Sequence, residues 1–357
     1  MSLTYQQVID SITLVNKANG QAALAHINNL TKPLGSLGQL ETIAVTLAEI
    51  TGEHFPKVSP PGTIVFAADH GVAEEGVSAY PQEVTAQMAL NVLYNGAGIN
   101  VFTNAINGLI QVVDVGIKGD VQADGLMNKK IAYGTNNFAK EQAMTREEAI
   151  QSLEVGMHAA EQMIDKGTKL LILGELGIAN TTASSAVVAA ITGADVRELV
   201  GHGTGVHSAA LENKIAVVQK AIELHKPNRE DGLDVLQKVG GFEIGAMAGA
   251  MLYAASKKIP ILLDGFICTA SALIATKLVP HVSDYMIAGH QSMEPGHSIA
   301  LQALGKEPIL SLQLRLGEGT GAALAFPIVD AATKMMSEMA TFDQANVSKE
   351  SELKLES

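Results

Sequence analysis

The chain has no tryptophan, one cysteine and few cations, and each shortage removes a class of function. Aromatic residues make up 4% of its 357 positions, so platforms for stacking bases are scarce. Lys and Arg number 24 against 37 Asp and Glu, a net charge of −13. Such a chain is a poor electrostatic partner for nucleic acid or an anionic membrane. A phosphorylated ligand would have to be held locally, by backbone N–H groups and very few cations. The lone Cys268 excludes a disulfide framework and points to a reducing cytoplasm. No apolar run reaches the roughly 20 residues of a membrane span. The start, MSLTYQQVIDSITLVNKANG, lacks the basic segment and apolar run of a signal peptide.

What is present is aliphatic and rich in glycine. The hydrophobic fraction is 47%, the charged fraction only 17%, and Gly occurs 34 times. The length suits one large domain or two of ordinary size. That much glycine must serve turns, helix caps or close approach of backbone to a ligand.

The first 60 residues read as helical, with Leu40, Ile43, Ala44 and Leu47 at helical spacing. From Thr63 short apolar runs alternate with longer helical stretches. Strand candidates are Ile64–Ala68, Ile110–Asp114, Leu170–Leu173, Ile261–Asp264 and Tyr285–Ala288. Helical stripes lie between them, as in Ile150, Leu153, Met157, Ala160 and Ile164, and again in Met247, Met251 and Ala254. Continuous apolar strands alternating with helices predict a parallel α/β sheet covered on both faces. The C-terminal part returns to helix through Ile328, Ala331, Ala332, Met335 and Met339. The expected organisation is a small helical domain from 1–60 and 305–345, an α/β substrate-binding domain over 61–304, and a mobile tail over 346–357.

Each strand candidate runs into Gly and polar residues: Asp69-His70-Gly71, Asp114-Val115-Gly116, Gly174-Glu175, Asp264-Gly265 and Gly289-His290. In a parallel sheet these ends share one edge, where open α/β folds bind ligands. The stretch GELGIANTT is the most informative. Gly174 and Gly177 bracket a turn, and Asn180, Thr181 or Thr182 can cap the helix Ala183–Ile191, whose N-terminus suits phosphate. A second Gly-rich stretch, Gly201 to Gly205, leads into a helix carrying Lys214, a cation for that phosphate. Glu318 stands among Gly317, Gly319 and Gly321. In an apolar pocket its pKa would rise and it could act as a general base. Glu175 has a similar setting. Each feature also has a purely structural reading: a capped helix, a solvated lysine, a surface glutamate. Cys268 reads as a buried helix residue. There is no H-E-x-x-H, Walker A loop or G-x-S-x-G, and the histidines His70, His202, His207, His290 and His297 show no metal-ligand spacing.

These stretches together resemble one family, the nicotinate-nucleotide–dimethylbenzimidazole phosphoribosyltransferases of cobalamin lower-ligand synthesis. The matching segments are TKPLGSLGQLE from Thr31, AADHGVAEEGVSAYPQEVTAQM from Ala67, GAGINVF from Gly96, VDVGI from Val113 and GELGIANTT. They continue with GFEIGAMAG from Gly241, DGFICTASALIA from Asp264, AGHQSMEPGH from Ala288 and LRLGEGTGAALA from Leu314. The chain departs from the family pattern at Gln39 and His202, where Arg is expected. The resemblance implies transfer of the phosphoribosyl group of nicotinate mononucleotide to dimethylbenzimidazole, with inversion, Glu318 as base and Glu175 assisting. It implies a phosphate and ribose site at Gly177, Asn180, Thr181, Gly203, Lys214, Gly265, Ser292, Leu316 and Gly317. It further implies a benzimidazole pocket drawing on Ser78, Tyr80 and Gln87, and a homodimer with no cofactor or metal. The family fold is a mostly parallel six-stranded, Rossmann-like sheet plus a small helical domain from both chain ends, so one strand is unassigned and is expected near Ile131. Two other readings stand beside it: another nucleotide-using α/β enzyme, such as a nucleotide-dependent oxidoreductase, and a non-catalytic sensor of the same ligands or a structural subunit.

Overall fold

Six runs of chain form one sheet: β1 (Pro61–Ala68), β2 (Leu109–Gly116), β3 (Leu126–Asn128), β4 (Leu170–Leu176), β5 (Ile261–Leu263) and β6 (Met286–Ala288). The structure, a computed structural model, describes residues 4–201 and 208–348. All strand pairs are parallel and the order is β3-β2-β1-β4-β5-β6. β1 and β4 lie at the centre and are buried along their whole length, which is why they read as continuous apolar runs. Each fully buried Ile, Leu or Val in them contributes about 1.5–3 kcal/mol. The chain winds one way from β1 to β3 and the other way from β4 to β6, so the switch point lies between β1 and β4.

The sixth strand is Leu126–Asn128, upstream of the expected Ile131. It is an edge strand of 3 residues, too short to stand out as an apolar run. Ile131 still donates its N–H to the Val115 carbonyl at 3.1 Å, just past the end of the ladder.

Not all the glycine serves the sheet edge. Helix Phe242–Ser256 packs on helix Arg146–Asp165 with backbones nearly touching. A Cβ at Gly156 would strike the Ala246 carbonyl, and one at Gly249 the Leu153 carbonyl. Here glycine allows helix-on-helix contact.

The chain divides into two compact units, 1–14 with 58–326, and 15–57 with 327–357. Residues 1–14 and 305–326, grouped by the sequence with the helical ends, lie in the larger unit. The first helix meets helix Arg146–Asp165, where Tyr5 N–H donates to Glu154 at 3.3 Å. The segment after residue 305 bonds back onto the end of β6, Ile309 N–H to Ala288 O and Leu310 N–H to Gly289 O, each at 3.0 Å. In the smaller unit, His26 bonds the Met336 carbonyl at 2.9 Å, and Lys32 pairs with Glu41 at 2.8 Å, that pair nearly buried. Most of the tail expected to be mobile lies outside the described residues. Among the described residues no helix is long and apolar enough to cross a membrane.

Candidate active site

At the carboxyl ends of β1, β4, β5 and β6 the larger unit encloses a cavity of about 480 Å³. The switch point is tied across its floor. Asp69, just past β1, accepts the Thr85 hydroxyl at 2.7 Å, and Thr85 accepts the Ile178 N–H at 3.1 Å. Burial pushes the Asp69 carboxyl up, against the hydrogen bonds from Lys118 N–H and Thr85.

Glu318 reaches the cavity on a loop that glycine makes possible. Gly317, Glu318 and Gly319 have φ of +85°, +63° and +95°, a left-handed run that favours glycine at both flanks. The loop lies directly on β4, where a Cβ at Gly174 would collide with the Glu318 carbonyl. Asp264, just past β5, accepts Gly319 N–H at 3.2 Å and Ala322 N–H at 3.0 Å. The Glu318 carboxylate accepts Ile99 N–H at 3.1 Å, at the start of helix Gly98–Ala105. Burial raises the Glu318 pKa, the Ile99 hydrogen bond lowers it, and the Asp264 charge raises it further. The result is a cavity-facing carboxyl more basic than a solvated one.

Glu175, at the end of β4, is buried and well above the usual carboxylate range, from desolvation first and then the Glu243 and Asp264 charges. It accepts the Glu318 N–H at 3.4 Å and a short hydrogen bond from the Asn180 side chain. That engagement corrects the capping expectation. Helix Asn180–Thr192 has Ala179 at its N-cap with no side-chain cap, and Asn180 is turned to Glu175 instead. The helix N-terminus opens on the cavity through Asn180 and Thr181. Lys214 donates to the Thr181 hydroxyl at 2.7 Å. Burial pulls its pKa down to about 8, against the Glu294 charge.

Ser292 and Gly265 are joined by a relay. Ser292 N–H donates to His297 Nδ1 at 2.8 Å, His297 Nε2 meets Thr269 Oγ1 at 3.0 Å, and Thr269 donates to the Gly265 carbonyl at 2.9 Å. An Nδ1 that accepts requires the neutral ring. Burial, with His290 next, pulls the His297 pKa down to about 4.

Of the residues singled out from the sequence, the cavity is lined by Glu318, Glu175, Gly177, Asn180, Thr181, Gly265, Ser292, Leu316, Gly317 and Tyr80, and also by Asp264, Cys268 and His290. Lys214 stands behind Thr181. Gly203 and His202 lie outside the described residues. Ser78 and Gln87 are not among the lining residues: Ser78 accepts the Tyr80 N–H at 3.2 Å, and Gln87 is exposed beside Val84 and Met88, which do line it. Sequence reasoning read Asp264 only as a strand end and passed over Ile99 and Thr85. The contacts of Asp264 with Gly319, Ile99 with Glu318 and Thr85 with Ile178 span 55 to 219 residues, beyond any local pattern. Cys268 is buried and its thiol pKa is pushed up by burial.

A doubly wound sheet with buried carboxyls in its switch-edge cavity is the frame of an α/β enzyme, and the phosphoribosyltransferase family model matches residues 12–347. A nicotinate-nucleotide–dimethylbenzimidazole phosphoribosyltransferase of Halalkalibacterium halodurans is 50% identical over 343 residues, 96% of each chain. One so named from Chloroflexus aggregans is 51% identical over 347 residues, 97% of this chain and 98% of its own. The crystal structure of CobT from Thermus thermophilus superposes with a TM-score of 0.90 at 44% identity, covering 93% of this chain and all (100%) of that one. The chain belongs to the nicotinate-nucleotide–dimethylbenzimidazole phosphoribosyltransferase family.

Proposed function

We propose that this chain transfers the 5-phosphoribosyl group of nicotinate mononucleotide to dimethylbenzimidazole, giving α-ribazole phosphate and nicotinate with inversion at the anomeric carbon. The observation that carries the reading is the Glu318 carboxyl, buried and raised in pKa inside the cavity. The chemistry asks for one base and no acid. As the bond from the anomeric carbon to the pyridinium nitrogen breaks, its electron pair neutralises the departing ring, which needs no proton. A benzimidazole nitrogen forms the new bond from the opposite face, which inverts the centre. The proton on the other ring nitrogen passes to Glu318.

Other features support the same reading. The phosphate would sit at the N-terminus of helix Asn180–Thr192, with Gly177, Thr181, Lys214, Gly265 and Ser292 around it. Leu316 and Gly317 would face the ribose. The Asp264 carboxylate would favour positive charge growing at the anomeric carbon, and Glu175 would hold the Glu318 loop through its hydrogen bond to the Glu318 N–H. The base would enter past Tyr80, against Val84 and Met88, with Ser78 and Gln87 at the mouth. Holding everything in line supplies the remaining rate. The family resemblance carries a homodimer and a cytoplasmic location as part of this proposal.

The test is to mix the protein with nicotinate mononucleotide and dimethylbenzimidazole and follow nicotinate by chromatography. Release that requires both substrates is expected. Binding of both without release would overturn the reading in favour of a sensor.

A further inference from the structure

Two histidines stand side by side at the end of β6, with ring centroids 6.1 Å apart, and they differ in one respect. His297 has both ring nitrogens engaged, one by Ser292 N–H and one by Thr269. His290 has neither nitrogen hydrogen-bonded among the described residues, although it is only 3% exposed and lines the cavity. A buried imidazole with both nitrogens unsatisfied is costly. Its position is fixed all the same. The flanking backbone is bonded to the 310 segment, and the ring lies so close over Gly321 that a Cβ there would collide with it.

The surroundings of its Nε2 define what could satisfy it. Nε2 stands 3.4 Å from Asp264 Oδ1. The point where a Cβ of Gly265 would project lies in ordinary contact with His290 Nε2 at 3.4 Å, Ser292 Cβ at 3.5 Å and Ser292 Oγ at 3.7 Å. At this corner the cavity wall carries an imidazole, the Asp264 carboxylate and the Ser292 hydroxyl together. A phosphate there would face the Asp264 charge, and the helix N-terminus with Lys214 already suits a phosphate better. A hydroxyl fits both neighbours, because it accepts from an imidazole N–H and donates to a carboxylate.

We propose that His290, with Asp264 beside it, binds a hydroxyl of the substrate's ribose and so contributes to recognition of the phosphoribosyl group. This rests on the transfer proposed above. The ribose would bridge the phosphate at Thr181 and Ser292 to the anomeric carbon facing Glu318, and His290 would meet it midway.

The test compares nicotinate mononucleotide with its 2′-deoxy and 3′-deoxy forms in the parent and in His290→Ala, reading kcat/KM from nicotinate release. In the parent, one deoxy form should lose about tenfold or more, as expected when a buried polar group is left unpaired. In His290→Ala the full substrate should lose a similar factor and the penalty for that deoxy form should fall to near unity. Because His290 is buried, a second measurement uses the parent alone. The ¹⁵N resonances of the His290 ring should shift on adding nicotinate mononucleotide and shift less with that deoxy form. Unchanged discrimination in a folded His290→Ala, or ring resonances that ignore the ligand, would overturn the proposal. So would a variant that weakens inhibition by inorganic phosphate while keeping the deoxy penalty. A parent that releases no nicotinate from the full substrate would instead refute the transfer reading itself.

Discussion

Glu175 holds Glu318 by its main chain: the Glu318 N–H donates to Glu175 Oε1 at 3.4 Å, leaving the Glu318 side chain to face the cavity with Ile99 N–H at 3.1 Å from its carboxylate. The loop position therefore does not depend on the charge of the Glu318 side chain. Glu318→Gln should keep the loop in place, since the amide oxygen can still accept from Ile99. Binding of both substrates should change by no more than a few-fold, while kcat falls by about 10²–10⁴. Calorimetric binding with steady-state kinetics checks this, and near-normal kcat would remove Glu318 as the base.

Lys214 supplies a second expectation, in pH. Its pKa is pulled down to about 8, so the ammonium is charged below that value and neutral above it. KM for nicotinate mononucleotide should stay level up to about pH 8 and rise beyond it. Lys214→Met should raise KM by about tenfold and abolish the pH dependence. A variant that keeps the parent's profile would show that the rise has another source.

Gly174 is the place where the sheet accepts the Glu318 loop. Gly174→Ala would drive a methyl into the Glu318 carbonyl, where neither backbone can yield. A loss of about 2–3 kcal/mol in stability and a large fall in kcat are expected. Gly119→Ala is the control, because nothing lies within 4 Å of its Cβ position. Denaturant melts of the two variants should separate clearly; equal midpoints would refute the contact.

His297 links stability to acid. Its folded-state pKa is lowered from 6.5 to about 4, so the folded state binds its proton more weakly than the unfolded state does. The stability this gives is complete above about pH 6.5 and is lost progressively as pH falls toward about 4. The full loss is of order 3 kcal/mol at the conversion of 1.36 kcal/mol per pKa unit. His297→Gln should flatten that part of the stability curve while lowering stability at neutral pH. An unchanged acid slope would rule out His297 as its source.

The sheet was legible where burial is two-sided. β1 and β4 lie under helices on both faces, and their runs of Ile, Val, Leu and Phe announce this. β3 is short and carries Asn128, so no apolar run marks it. The Gly-rich setting singled out Glu318 because left-handed backbone on both sides of one acid is a local signal. Asp264 had no such signal, since its work is to hold Gly319 and Ala322 from far along the chain. Asn180 sat where a cap was expected, yet the helix begins at Asn180 itself with Ala179 at the N-cap, and the Asn180 side-chain NH2 donates to the buried Glu175 carboxyl. The helix pairing through Gly156 and Gly249 was hidden for a related reason: glycine marks a close approach without saying what approaches.

The order in which the parts occur along the chain has a consequence for synthesis. The last strand ends at Ala288, and the loop that carries Glu318 follows it. The N-terminal part of a chain emerges from the ribosome first, so all six strands and the notch at Gly174 emerge before the loop that carries the proposed base. The notch is thus a socket presented ahead of its occupant, and the site is complete only once the Glu318 loop lies on Gly174.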